Sequence, residues 1–140
     1  MEFKKFGNKV VVRIDKGEEI VDTLKDICKT LGVKAGSITG IGATDKATIG
    51  LFDVKVKKYH SREFVGDHEL APVCGNISTM KGETYLHLHA NLCNSEHKSF
   101  GGHLTSAIVS ATFEGIIDVI DGEIERELDK ETGLNLIKIK

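Results

Sequence analysis

At 140 residues the chain has the length of one domain, able to bury roughly two-thirds of the surface its unfolded form exposes. Its 19 basic and 21 acidic residues give a formal net charge of -2, so no overall field draws it toward a polyanion such as DNA. Cys28, Cys74 and Cys93 are odd in number and have no CxxC spacing, which excludes a disulfide scaffold and a structural zinc finger and makes a reducing cytoplasm the expected compartment. The basic N-terminal residues have no apolar region behind them, and no apolar run reaches the length of a bilayer, so neither an export signal nor a membrane span is expected.

Lys9 to Asp15 is β-branched and alternating, the pattern of a strand. From Glu18 the period becomes helical: Ile20, Val21, Leu24, Ile27, Cys28 and Leu31 recur at three and four residues, acidic Glu18 and Glu19 suit the first turn, and Gly32 suits the C-terminal cap. Cys28 on that stripe reads as a small core residue rather than a reactive thiol. Glycines then punctuate β-rich runs at 35–42, 47–52 and 54–59, which read as meandering antiparallel strands. Lys55, Lys57, Lys58 and Arg62 make a local basic cluster of the kind that is normally a solvated face.

Residues 63–74 are less regular and hold the one proline, Pro72. Gly75 to Thr79 leads through a Lys81-Gly82 turn into a strand over 84–92. Further strands are expected over 106–120, broken near Gly115, and over 123–128, with Asp121-Gly122 as a hairpin signal between them; a polar turn at 129–133 precedes a last strand at 134–139. The fold class expected is α/β (α+β): one domain over residues 1–140, mostly antiparallel sheet with one main amphipathic helix near the N-terminus.

Alternation across the 84–92 strand puts Leu86, Leu88, Ala90 and Leu92 on one face and Tyr85, His87, His89 and Asn91 on the other. Two imidazoles two residues apart on one side of a strand are close enough to converge on one ion. A third, His103, follows Gly101-Gly102, and a hairpin running from 87 to 103 would bring it beside the pair. Three neutral imidazoles without a carboxylate suit zinc, nickel or iron rather than calcium or magnesium, and leave a position open for water or an exchangeable ligand. Cys93 shares the parity of His87 and His89 and is a candidate fourth ligand if the strand continues. His60, His68 and His97 sit in polar surroundings and read as solvated side chains.

Taken together, Gly17-Glu-Glu-Ile20, Gly40-Ile-Gly-Ala43, Ala47-Thr-Ile-Gly-Leu-Phe52, Gly75-Asn-Ile-Ser78, His87-Leu-His-Ala90 and Gly101-Gly-His-Leu104 resemble the PPC domain, also called DUF296, which stands alone in prokaryotes and is fused to AT-hooks in plant nuclear proteins. The resemblance covers nearly the whole chain and implies a compact α/β fold, assembly into a homotrimer and a DNA-binding role. The fold is also similar to that of zinc-dependent acetolactate decarboxylases, whose His-x-His and later histidine carry over onto His87, His89 and His103. No AT-hook is present: Arg13, Arg62 and Arg126 are the only arginines and none adjoins a glycine.

Three functions follow as expectations. The first is a DNA-binding or assembly module with a structural or regulatory metal. The second is a small zinc-dependent enzyme of the lyase or decarboxylase kind, acting on a small molecule, with Glu114 or Glu63 as acid or base and Arg62 as anion anchor. In the third, the histidines hold no ion and hydrogen-bond across a subunit interface.

Overall fold

A computed structural model describes residues 1–139. The elements run β1 (Glu2–Phe6), β2 (Lys9–Asp15), α1 (Ile20–Leu31), β3 (Gly36–Asp53), β4 (Lys58–Met80), β5 (Glu83–Cys93), β6 (Ser99–Val119), β7 (Glu125–Leu128) and β8 (Asn135–Lys138). The class expected from sequence, mostly antiparallel sheet with one helix, is the class observed.

Helix α1 is held at both ends. One carboxylate oxygen of Glu19 accepts from the Asp22 amide, capping the first turn, and the other accepts from the Ala107 amide, tying the helix to β6. Gly32 ends the helix in the left-handed region, at φ 65°, where a residue with a Cβ is strained. Ile20, Leu24, Ile27 and Cys28 form the buried stripe, and that apolar setting pushes the Cys28 thiol up to about 12, which leaves it inert.

The four long strands close on one another. β3 pairs with β4, β4 with β5, β5 with β6 and β6 with β3, all antiparallel, so their backbone groups are satisfied around a ring. β1 and β2 extend the sheet from β6, while β7 joins β4 through Thr79 and Glu125 and pairs with β8. Alternation decides which side is core: Val10, Val12 and Ile14 are buried on β2, and Leu88, Ala90 and Leu92 on β5.

Several boundaries differ from the sequence reading, each for a local reason. Residues 54–57 are not strand but the turn joining β3 to β4, set by the Asp53 carboxylate accepting from the Lys55 and Val56 amides. Residues 63–74 are regular β4; register shifts opposite Thr44 and Lys46, and again between Leu70 and Val73, reset the alternation and hide the strand. Gly115 does not break β6. It sits beside the Phe113 ring, as does Gly40, where a Cβ would lie 2.3 Å from a Phe113 ring carbon. These glycines make room for a core aromatic.

Asp121-Gly122 makes no hairpin between β6 and β7, because both edges of β6 over 112–118 are already taken by β2 and β3. The chain crosses to β4 instead. Strand β1, Lys-rich and nearly all exposed, was not legible as a strand at all. Among the described residues, no helix is long and apolar enough to cross a membrane.

The glycine contacts give a stability prediction. A Cβ on Gly75 would lie 1.9 Å from the His87 carbonyl oxygen, so Gly75→Ala must push β4 and β5 apart. It is expected to cost about 1–3 kcal/mol or more and lower the thermal midpoint by several degrees in a calorimetric scan. Gly101→Ala, whose Cβ would meet nothing nearer than 3.4 Å, should leave the midpoint nearly unchanged.

Candidate metal centre

β5 presents His87 and His89 on the face opposite its buried leucines, as alternation requires. Across the ladder to β6, His89 is the direct partner of His103, while His87 faces Asn76 on β4 and His103 faces Gly50 on β3. The close approach expected of the Gly-Gly-His segment rests on Gly102, where a Cβ would lie 2.6 Å from the Gly50 carbonyl oxygen; Gly101 has space around it.

The three rings form a compact triangle, with centroids 5.2, 5.3 and 5.7 Å apart. One nitrogen from each lies within 4.8 Å of the other two. His103 Nδ1 is buried with no hydrogen-bond partner. Burial lowers the pKa of His103, helped by His87 and His89, and burial likewise lowers that of His87, helped by the Arg126 charge and by His89. Neutral imidazoles crowded without acceptors are the form that binds a cation. This donor set fits a borderline metal such as zinc.

The triangle opens into a cavity of about 490 Å³ bounded by Leu51, Phe52 and Tyr59 on one side and by Leu134, Leu136 and Ile137 on the other. Tyr59 lies against His103, with ring centroids 5.3 Å apart. The floor is polar. Arg126 is 8% exposed and donates through Nε to Ser78 Oγ at 2.7 Å, through Nη1 to the Asn135 carbonyl at 2.6 Å and through Nη2 to Asn76 Oδ1 at 2.6 Å. Its guanidinium also covers the Tyr85 ring at 4.9 Å.

The other candidates lie elsewhere. Cys93 continues the β5 ladder opposite Ser99, whose hydroxyl it meets at 3.3 Å, but it is not part of the histidine group. Glu63 pairs with Lys46 at 3.5 Å, Arg62 stacks on Phe64, and Glu114 lies opposite Arg13 and Ile41 on β6; none of them lines the cavity. The proposed acid, base and anion anchor are therefore corrected: Arg62 and Glu63 are consecutive, exposed residues of β4 engaged with Phe64 and Lys46, and Glu114 is eleven residues along β6 from His103. His60 approaches Asp53 at 3.8 Å and His97 sits in the β5–β6 turn, both exposed, while half-buried His68 packs on Phe64. Sequence reasoning missed Arg126, because Glu-Arg-Glu at 125–127 has the look of a solvated strand and nothing local marks its middle residue for burial.

Comparison with solved structures places this arrangement among relatives. A protein from Bacteroides thetaiotaomicron VPI-5482 named "putative DNA binding protein" superposes with a TM-score of 0.95 at 37% identity, covering 98% of this chain and 96% of that one. A metal-containing protein from Archaeoglobus fulgidus superposes at 0.88 with 29% identity, covering 99% of each chain. Acetolactate decarboxylase from Bacillus subtilis subspecies spizizenii is similar in fold alone, with a TM-score of 0.55 at 15% identity over 79% of this chain and 52% of that one. No curated protein matches the sequence. Residues 1–121, all three histidines among them, match the Plants and Prokaryotes Conserved (PCC) domain, the PPC family that the sequence motifs resemble, and the chain belongs to that family.

Proposed function

We propose that this chain is a metal-binding member of its family, in which His87, His89 and His103 hold one divalent ion, zinc by donor preference, with a coordination position facing the cavity. The observation that carries the reading is the nitrogen triangle within 4.8 Å, in a cluster where His103 also has a buried Nδ1 with no hydrogen-bond partner. The metal-containing relative from Archaeoglobus fulgidus supports it further.

Assembly as a homotrimer, in the cytoplasm, belongs to the same reading. Its physical support is an apolar strip on the outer face of the sheet: Val11 and Ile116 are direct cross-strand partners, Ile41 lies on the adjacent strand, and all three are exposed. Copies of the same chain covering this strip would remove apolar surface from water.

Elemental analysis of the purified protein should find about one zinc per chain. Substituting His87, His89 and His103 together by alanine should abolish it. If the ion serves chemistry or ligand binding, sedimentation will find the mutant still folded and trimeric; if it is structural, the trimer will be lost with the metal. Background metal in the wild-type protein would overturn the reading.

The lowered histidine pKa values set a pH dependence. In the metal-free protein the unfolded chain takes up protons near the ordinary value of about 6.5, whereas folded His87 and His103 do so only at lower pH. Stability is therefore full above about 6.5 and declines as pH falls below it, which urea midpoints measured between about pH 7.5 and 5 will register. Metal retention should decline in the same direction as imidazoles protonate.

A DNA-associated role is a second reading, favoured by the name of the Bacteroides relative. The surface gives it little: the Lys55–Arg62 cluster is flanked by Asp53 and Glu63, Lys57 Nζ donates to the Lys130 carbonyl, and net charge is -2. Titration of labelled duplex near physiological salt should give weak binding that a few-fold rise in salt removes. Tight, sequence-selective binding would establish the DNA role instead.

A further inference from the structure

Arg126 is a buried cation whose position its fold neighbours do not explain. Its three hydrogen bonds go to a hydroxyl, a side-chain amide and a backbone carbonyl, all neutral acceptors, and two of its five N–H donors remain beyond them. Among the described residues it makes no ion pair, and no aspartate or glutamate lines the cavity. Burying a charge without a counter-charge is costly, and the desolvation is strong enough to lower even a guanidinium's pKa. Mutual support from neutral dipoles holds the side chain in place without neutralising it.

The surroundings define what could neutralise it. The cavity beside Arg126 has apolar walls on both sides, Leu51 and Phe52 facing Leu134, Leu136 and Ile137, and contains no lysine or second arginine. One guanidinium in such a slot matches one planar, singly charged group with an apolar body behind it. A phosphate dianion would leave one of its charges unmatched by the single guanidinium.

We propose that the cavity binds a small monocarboxylic acid with an apolar body, its carboxylate on Arg126 and its body between β3 and β8. The contact with Arg126 stands on the chain's own geometry. Approach of a further ligand oxygen to the histidines rests on the metal reading above. β7 and β8 lie outside residues 1–121 that match the shared domain, so the anion contact and half of the apolar wall come from the chain's last elements.

The test uses isovalerate and isovaleramide, which share shape and differ in charge, titrated into the zinc-loaded and the zinc-stripped wild-type protein by NMR. Isovalerate should shift cavity resonances saturably and isovaleramide should bind about tenfold or more weakly, the loss expected for a charged hydrogen-bonded pair. Arg126→Gln should lose the preference for the acid, and Arg126→Lys, if folded, should restore part of it. Equal binding of acid and amide, or no saturable shift by either, overturns the proposal on the wild-type protein whether or not the variants fold. Displacement of isovalerate by equimolar inorganic phosphate also overturns it, since the site would then be a phosphate site. Acid preference that persists after zinc is stripped upholds the proposal. Zinc content measured on the same wild-type samples reports on the histidine reading independently.

Discussion

The site depends on how closely the backbones of β3, β4, β5 and β6 approach one another. Ordinary side chains at Gly75 and Gly102 would strike the His87 and Gly50 carbonyls, so their absence lets the strands draw together and the ring of pairing close. Closure fixes the register, and register decides everything about the histidines. A slip of one residue in the β5–β6 ladder would send His87 and His89 into the leucine core and bring Leu88 and Ala90 out. Because the opposite face of β5 carries Leu88, Ala90 and Leu92, all buried, that slip is opposed by the full hydrophobic term of the core.

Two kinds of burial meet in the cavity. His87 and His103 accommodate it through a lowered pKa that favours the neutral ring, the form able to donate to a cation. Arginine has no such escape at accessible pH, and Arg126 keeps its charge among neutral acceptors. Asn76 links the two: it is the cross-strand partner of His87 and accepts from Arg126 Nη2. A cation-binding corner and a fixed cation thus share one cavity, joined by one amide.

How much of this could be read from the chain depended on whether the signal was local. Helix α1 carries its own period, caps and stripe, and it was read to within two residues at its start and at its Gly32 end. The histidine pair was legible because strand alternation is a two-residue property, and the third histidine because a double glycine marks a close approach. The long strand β4 was not legible, since bulges reset its alternation twice. Nor was the route of the chain after Gly122, which depends on both edges of β6 being occupied by strands more than seventy residues earlier. Arg126 was missed for the same reason: its partners Asn76 and Ser78 lie about fifty residues upstream, and only the crossing of β7 to β4 brings them together.

That crossing leaves the terminal hairpin joined to the barrel by little regular pairing. Thr79 meets Glu125, and the Thr79 hydroxyl and amide reach Glu123 and Ile124. Beyond that point the Arg126 side chain is the bolt, gripping β4 through Asn76 and Ser78 and β8 through the Asn135 carbonyl. The group that faces the cavity is therefore also the fastening of the cavity's own wall. By thermodynamic reciprocity, an anion that prefers the fastened arrangement tightens the hairpin by the same factor that the fastened hairpin improves the anion's affinity. Occupancy of the cavity and docking of the β7–β8 hairpin become two readouts of one equilibrium.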